Sequence, residues 1–210
     1  MAKWGSLWGA LLLAAGIGAA VVFVVVGRAA APGSDSAEAG FARDMATHHA
    51  QAVEMSFIVR DQSTDTELRA LAYDIIVTQS TQRGVFMGWL QEWGLPQTST
   101  APRMAWMPGH GDPISASGGG PVLMHGMATA DEMARLEAAN GADAEVLFLQ
   151  LMIRHHEGGV LMARALVALS NRADVVQMAR SIDDGQRAEI ASMKEMLKQR
   201  GAQPFRSLLG

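Results

Sequence analysis

The chain contains the same unit twice, and this duplication limits what it can fold into. Five residues of the first copy recur 107 positions later in the second: Phe41, Met45, His48, His49 and Met55 match Phe148, Met152, His155, His156 and Met162. The match continues without a gap over about 54 residues, as far as Gly94 and Gly201. A repeated unit of this size cannot bury its apolar face alone, so the two copies are expected to pack together.

Each copy has the pattern of a helical hairpin. Helical periodicity in the first copy spans 41–60, stops at the polar stretch 61–65, and resumes over 66–93 before a glycine and a proline. The second copy repeats this pattern over 142–169 and 173–200. Four helices can bury the faces that two separate hairpins cannot, so we predict an all-α four-helix bundle with one long crossover.

The chain is predicted to divide into six parts. These are 1–30 for a membrane anchor or signal segment, 31–40 for a linker, 41–94 for the first repeat, 95–141 for a crossover loop with a short helix at 130–139, 142–201 for the second repeat, and 202–210 for a tail. The bundle domain is thus 41–201.

The first 30 residues predict transport out of the cytoplasm. Residues 5–27 carry no charge and are long enough to cross the roughly 30 Å hydrocarbon core as a helix. Ala29, Ala30 and Ala31 resemble a signal-peptide cleavage site, but signal peptides have shorter apolar stretches, of about 7–15 residues. The length favours a retained transmembrane helix, and cleavage is the alternative. In both cases the C-terminal domain is expected to be extracytoplasmic.

The composition of the remainder excludes some functions. All 21 acidic residues lie from Asp35 onward against 15 basic ones, so the domain is acidic and no nucleic-acid partner is expected. The chain has no cysteine, so its core must be held by aliphatic and methionine side chains. An exported protein that binds soft cations has a reason to use thioether and imidazole in place of oxidisable thiols.

The histidine pairs are predicted to face inward. At 100° per residue, Met45, His48, His49 and Met55 share one arc of about 120°, and the second copy repeats it. One interpretation is an ordinary core in which the imidazoles form a hydrogen-bonded network. The other is metal binding, which we favour because four buried imidazoles need several polar partners in a region of Met, Ala and Phe. Thioether sulfur with imidazole points to copper, with Cu(I) favoured and Cu(II) compatible.

Two further groups of methionine and histidine occur in the crossover: Met104, Met107 and His110, and then Met124, His125 and Met127. They are either additional copper ligands or residues that pack the crossover on the bundle. The matched Gln79 and Gln186 are further candidates, as hydrogen-bond partners of the imidazoles.

Signatures of catalysis are absent from the sequence. Di-iron four-helix oxidases need Glu-x-x-His motifs and zinc hydrolases need His-Glu-x-x-His, and neither occurs here. We therefore expect a binding protein and not an enzyme, although redox chemistry at copper stays possible.

The histidine motif resembles that of the family called domain of unknown function 305. Asp44, Met45, His48, His49 and Met55 match its Asp-x-x-Met-x-x-His-His pattern with a downstream Met, and the second copy matches all of it except the acid. This resemblance implies a ferritin-like fold and a role in copper binding and resistance. It also implies Met193 as a ligand. The first copy departs from the pattern, with Gln82, Arg83 and Phe86 where the second has Glu189, Ile190 and Met193.

The sequence thus predicts a membrane-tethered, extracytoplasmic protein that sequesters, stores or transfers copper. The alternatives are a structural or interaction module of a membrane complex, with a buried histidine network, or a copper-dependent oxidase. No protein partner can be named from the sequence. The predicted metal ligands are Met45, His48, His49, Met55, Met152, His155, His156, Met162 and Met193.

Overall fold

The computed structural model describes residues 30–107 and 123–209, and over these ranges the chain is all-α. The chain divides into two units, Met1–Pro32 and Gly33–Gly210, and every helix described here lies in the second. The helices are α1 (Ala37–Gln62), α2 (Thr66–Glu92), α3 (Ala130–Ala138), α4 (Gly141–Leu169) and α5 (Ala173–Gln199). The predicted all-α class is confirmed.

The side chain of the preceding residue caps the first three helices. Helix α1 begins at Ala37, four residues before the periodicity indicated, because the Ser36 side chain accepts a hydrogen bond from the Ala39 backbone N–H. The segment expected as a linker over 31–40 therefore ends in the first turn of α1. Asp65 caps α2 in the same way, and Thr129 and Glu132 form a capping box on α3.

The two copies end alike. Gly94 and Gly201 follow α2 and α5 with φ of 68° and 65°, a conformation that glycine adopts without strain. The next residue in each copy donates its N–H to the carbonyl five residues earlier, from Leu95 to Leu90 and from Ala202 to Leu197. The repeat seen in the sequence thus extends to the helix ends.

The hairpins meet through their first helices. Helix α1 packs on α2, α4 packs on α5, and α1 packs on α4, while the short α3 contacts both α1 and α4. Helices α2 and α5 are not among the well-packed pairs of the described chain. The layer between α1 and α4 is therefore the centre of the domain.

Two apolar clusters fill the interior. The Phe86 cluster contains Phe41, Met45, Phe86, Leu90, Met162 and Leu166, among others. The Met193 cluster contains Met55, Leu68, Phe148, Met152, Met193 and Leu197, among others. Met45 of α1 shares a cluster with Met162 of α4, and Met55 with Met152, so α1 and α4 run antiparallel.

The predicted transmembrane helix over residues 5–27 lies outside the described residues. Among the helices of residues 30–107 and 123–209, none has the length and apolar character needed to span a membrane.

Candidate metal centre

The four paired histidines lie where α1 packs on α4. His48 and His49 of α1 and His155 and His156 of α4 all have an exposed fraction of 0%. The rings of His48 and His155 are in contact, with centroids 3.7 Å apart and planes inclined by 33°. The prediction that both pairs face inward is confirmed. We call these four side chains the histidine layer.

Three of the four imidazoles donate through Nε2 to an oxygen. His48 donates to the main-chain carbonyl of His125 over 3.1 Å, and His49 to the side-chain oxygen of Gln82 over 2.7 Å. His156 donates to the Glu189 carboxylate over 2.6 Å. Because each acceptor is an oxygen, each of these rings carries a proton on Nε2, and Nδ1 is the nitrogen that can offer a lone pair.

Those lone pairs are buried without a partner. The Nδ1 atoms of all four histidines lack any hydrogen-bond partner among residues 30–107 and 123–209, and so does Nε2 of His155. Buried polar atoms of native proteins are nearly always hydrogen-bonded, and leaving one unsatisfied costs about 1–3 kcal/mol. The histidine layer concentrates five such atoms.

Burial keeps His48, His49 and His155 neutral. Desolvation lowers the pKa of His48 to about 3, and the neighbouring His49 lowers it further than burial alone would. Desolvation also lowers the pKa of His49 to about 3, against a smaller opposing effect of the Gln82 hydrogen bond. The pKa of His155 lies well below its ordinary value, through desolvation and then the adjacent His48. Neutral imidazole is the form that coordinates metals.

The predicted methionine ligands are all buried but are divided between the two clusters. Met45 and Met162 belong to the Phe86 cluster, whereas Met55, Met152 and Met193 belong to the Met193 cluster. Along both α1 and α4, the histidines lie between the two methionines of the motif. The structure thus gathers the four imidazoles in one layer and puts thioethers at both ends of it.

Imidazoles and carboxylates do not form a metal site by themselves. In the described ranges of the chain, no three His, Asp or Glu side chains converge in an arrangement suited to an ion. A metal centre in the histidine layer would need donors of another kind, and thioether sulfur is the kind found at its two ends.

The crossover lies directly over the seam between α1 and α4. Gln51 of α1 holds it with two hydrogen bonds to the Ala128 main chain, of 2.9 and 2.8 Å. On the α4 side, a Cβ added to Gly158 would overlap the carbonyl oxygen of His125. Gly126, with φ of 79°, lies equally close to the main chain of Arg154. Backbone-to-backbone contact therefore places the His125 carbonyl at His48.

Asp44 fixes the beginning of the crossover. Its carboxylate accepts hydrogen bonds from the Met104 backbone N–H, the Trp106 indole and the Arg103 guanidinium, over 2.8 to 3.0 Å. Met104 has φ of 64°, which is uncommon outside glycine. Three methionines of the crossover are buried in the Phe86 cluster: Met104, Met107 and Met124.

Sequence reasoning missed the side chains that hold the imidazoles. We expected Gln79 and Gln186 in that role, and this is wrong, because their amide groups have no hydrogen-bond partner within the described residues. Gln82 and Glu189, one turn further along α2 and α5, hold His49 and His156 instead. The repeat offset pairs Gln82 with Glu189, and this was the available signal.

The fold and the layer define a class: an all-α protein in which two helical hairpins enclose paired histidines. The chain belongs to the family described as Domain of unknown function (DUF305), whose family model matches residues 38–197. The resemblance seen in the sequence is confirmed. Among curated proteins, none matches the chain.

Solved structures of the same family have the same fold. The chain is 46% identical to a protein from Streptomyces coelicolor described as "putative secreted protein DUF305", covering 83% of this chain and 99% of that one, with a TM-score of 0.75. It is 32% identical to a DUF305 fragment from Deinococcus radiodurans, covering 78% and 96%, with a TM-score of 0.64. CopM in the Cu(I)-bound form is 23% identical over 78% and 96%, with a TM-score of 0.59, a likeness of fold.

Proposed function

We propose that this protein binds copper outside the cytoplasm, in order to sequester, store or transfer it. The observation that carries the proposal is the set of four buried imidazoles whose Nδ1 atoms have no hydrogen-bond partner in the described part of the chain. Histidines that bind metals commonly donate their other ring N–H to a carboxylate or carbonyl oxygen, as His48, His49 and His156 do.

The donor set favours copper over hard cations. Imidazole nitrogen accepts Cu(I) and Cu(II), and thioether sulfur selects Cu(I). CopM, which shares the fold, has been solved in Cu(I)-bound, Cu(II)-bound and Ag-bound forms. We therefore assign Cu(I) as the favoured cargo. Its proposed ligands are drawn from Met45, His48, His49, Met55, Met152, His155, His156, Met162 and Met193.

We further propose that the four long helices form a ferritin-like bundle tethered to the membrane by the apolar segment 5–27. The Streptomyces coelicolor neighbour is named as a candidate secreted protein, which supports a location outside the cytoplasm. In untreated cells the domain should be found in the membrane fraction. Protease added to intact cells should digest it. Release of the domain into the medium would show cleavage of the segment instead.

A purely structural histidine network explains the site less well. A network that serves stability has its polar atoms satisfied, whereas five ring nitrogens of this layer have no partner within the described ranges. Binding, with no turnover of substrate, is the whole of the proposed chemistry.

The decisive experiment replaces His155 by leucine. Since neither His155 nitrogen has a hydrogen-bond partner among the described residues, this variant loses no bond and removes two unsatisfied atoms. We expect the metal-free variant to melt at a higher temperature than the wild type and to bind Cu(I) more weakly, measured by competition with a chromophoric Cu(I) chelator. A second variant has all four histidines changed to alanine. If both variants bind Cu(I) as tightly as the wild type, the assignment of the histidines as ligands is refuted.

The role of thioether sulfur has its own matched pair. Met193 and Met196 are both buried on α5 in the Met193 cluster, and only Met193 is a proposed ligand. Changing either to leucine conserves volume and costs less than about 1.5 kcal/mol of stability. We expect Met193→Leu to weaken Cu(I) binding and Met196→Leu to leave it unchanged. Equal effects would remove Met193 from the site.

A further inference from the structure

A cleft opens between α2 and α5, and all of its lining residues belong to these two helices. Its volume is about 150 Å³. A water molecule needs about 10–15 Å³ of such space, so the cleft admits a cation together with several waters. The exposed Thr78, Ser181 and Gly185 form its rim. Gln82 and Glu189, which hold His49 and His156, form its sides.

Two buried amides form the floor of this cleft. Gln79 and Gln186, related by the repeat, are 2% and 4% exposed and both line the cleft. Neither the amide oxygen nor the amide nitrogen of either residue has a hydrogen-bond partner in the described part of the chain. The Gln186 oxygen lies so close to Gly159 of α4 that a Cβ there would overlap it. These two unsatisfied amides lie at matched positions, one turn before the residues that accept hydrogen bonds from His49 and His156. They indicate a transiently bound ligand.

The described chain covers the layer from its other sides. The crossover lies on the seam between α1 and α4, with the His125 carbonyl bonded to His48 and Ala128 bonded to Gln51. The Phe86 cluster and the Met193 cluster fill the two ends. Helices α2 and α5, by contrast, are not a closely packed pair in the described chain.

We propose that the cleft between α2 and α5 is the route by which copper reaches and leaves the histidine layer, and that the Gln79 and Gln186 amides coordinate the ion in transit. This inference rests on the proposed function. Amide oxygens replace part of the water around the ion on the way in, and softer ligands then outcompete them. The Glu189 carboxylate beside the route attracts the cation to it.

The experiment measures how fast copper leaves. The full-length protein is loaded with Cu(I) under nitrogen and mixed with an excess of a chromophoric Cu(I) chelator, and absorbance follows the release. Gly185→Trp narrows the cleft, and its added atoms enter open space because nothing lies within 4 Å of a Cβ at this position. Gly88→Trp is the matched control: it is also an exposed helical glycine with nothing within 4 Å, and it does not line the cleft. A second variant carries Gln79→Leu and Gln186→Leu.

We expect release to slow at least tenfold in Gly185→Trp and in the double leucine variant, with unchanged Cu(I) stoichiometry, while Gly88→Trp releases copper at the wild-type rate. Wild-type rates in both cleft variants, or equal slowing in Gly88→Trp, would overturn the route and leave copper binding in place. A wild-type protein that takes up no Cu(I) would overturn the proposed function, and the route with it.

Discussion

The two copies of the hairpin present the same histidine pair but hold it differently. In the first copy His49 donates to the neutral amide of Gln82, and in the second His156 donates to the carboxylate of Glu189. A carboxylate makes the opposite ring nitrogen a stronger donor to metal than an amide does. The second copy also has Met193 where the first has Phe86. Under the proposed function, its half of the layer is therefore the better equipped to bind copper.

The copies also differ in how they engage the crossover. Asp44 of the first copy fastens residues 103–106, whereas its counterpart in the second copy is Leu151, a buried apolar residue. His48 donates to the crossover carbonyl, whereas the corresponding His155 has no hydrogen-bond partner within the described residues. The first copy thus holds the crossover, and under the proposed function the second copy is the better suited to donate ligands.

The largest expected effect tests what the copies share, which is burial of neutral imidazole. His48 and His49 have a pKa of about 3 in the folded state against 6.5 when unfolded, so below pH 6.5 only the unfolded chain takes up their protons. The free energy of unfolding is therefore not reduced by these two histidines above pH 6.5, and it falls as the pH decreases toward 3. At pH 5 the loss is about 2 kcal/mol for each histidine.

This loss should appear as a lower urea midpoint of the metal-free protein at pH 5 than at pH 7. The pKa values of the Asp65 and Glu132 carboxyl groups are lowered in the folded state. These groups therefore stabilise the fold at a pH above their ordinary pKa values of 3.8 and 4.5, and this contribution is lost only as the pH falls below those values. The window from pH 6.5 to 5 thus isolates the imidazoles. Equal midpoints would show that the layer is hydrated and titrates freely.

The second effect tests the specialisation of the first copy. Asp44→Leu gives α1 the residue that α4 carries, and it leaves the Met104 N–H and the Trp106 indole without their acceptor. We expect a loss of about 3 kcal/mol in the free energy of unfolding, measured by denaturant titration. Arg103→Ala is the control, because that side chain is 46% exposed and its ion pair contributes less than about 1 kcal/mol. Similar losses in both would mean that the ion pair dominates.

The third effect exchanges the partners of the histidines. Gln82→Glu gives the first copy the carboxylate of the second, and Glu189→Gln does the reverse. We expect copper affinity to rise about tenfold in the former and to fall about tenfold in the latter. Chelator competition at pH 7 measures both. Changes of the same sign would contradict the assignment of unequal halves.

The smallest effect concerns the caps of the second helices. Asp65 caps α2, whereas its counterpart Arg172 makes no side-chain cap to α5. Asp65→Ala should cost about 1 kcal/mol in thermal or denaturant unfolding, and Asp65→Asn, which keeps a capping oxygen, should cost less. If the asparagine variant loses as much as the alanine variant, the contact between Asp65 and Arg200 matters more than the cap.

The helices and the burial of the histidines were predictable because both depend on local periodicity. The arc shared by Met45, His48 and His49 needs only the 100° step of a helix, and the structure buries all three. Helix α1 begins four residues before the predicted start because Ser36, which lies in the predicted linker, caps it.

The partners of the site were not predictable in the same way. Whether Gln79 or Gln82 reaches His49 depends on the rotation of α2 against α1, which tertiary packing sets. The link between Asp44 and Met104 spans 60 positions in the sequence and depends on an irregular loop. The glycine contacts at the crossover depend on the distance between two backbones, which no helical periodicity encodes.

The crossover also explains why the duplicated halves had to diverge. A single crossover cannot contact both copies of a twofold layer in the same way, so equivalent positions of the two copies make different contacts with it. Gln51 binds the crossover through two hydrogen bonds of its amide. Its counterpart 107 residues later, Gly158, has no side chain, and the crossover backbone occupies the space where a Cβ would lie. Two identical hairpins that associate as separate chains would have no crossover between them. Because both hairpins belong to one chain, a single crossover contacts the two copies through different residues.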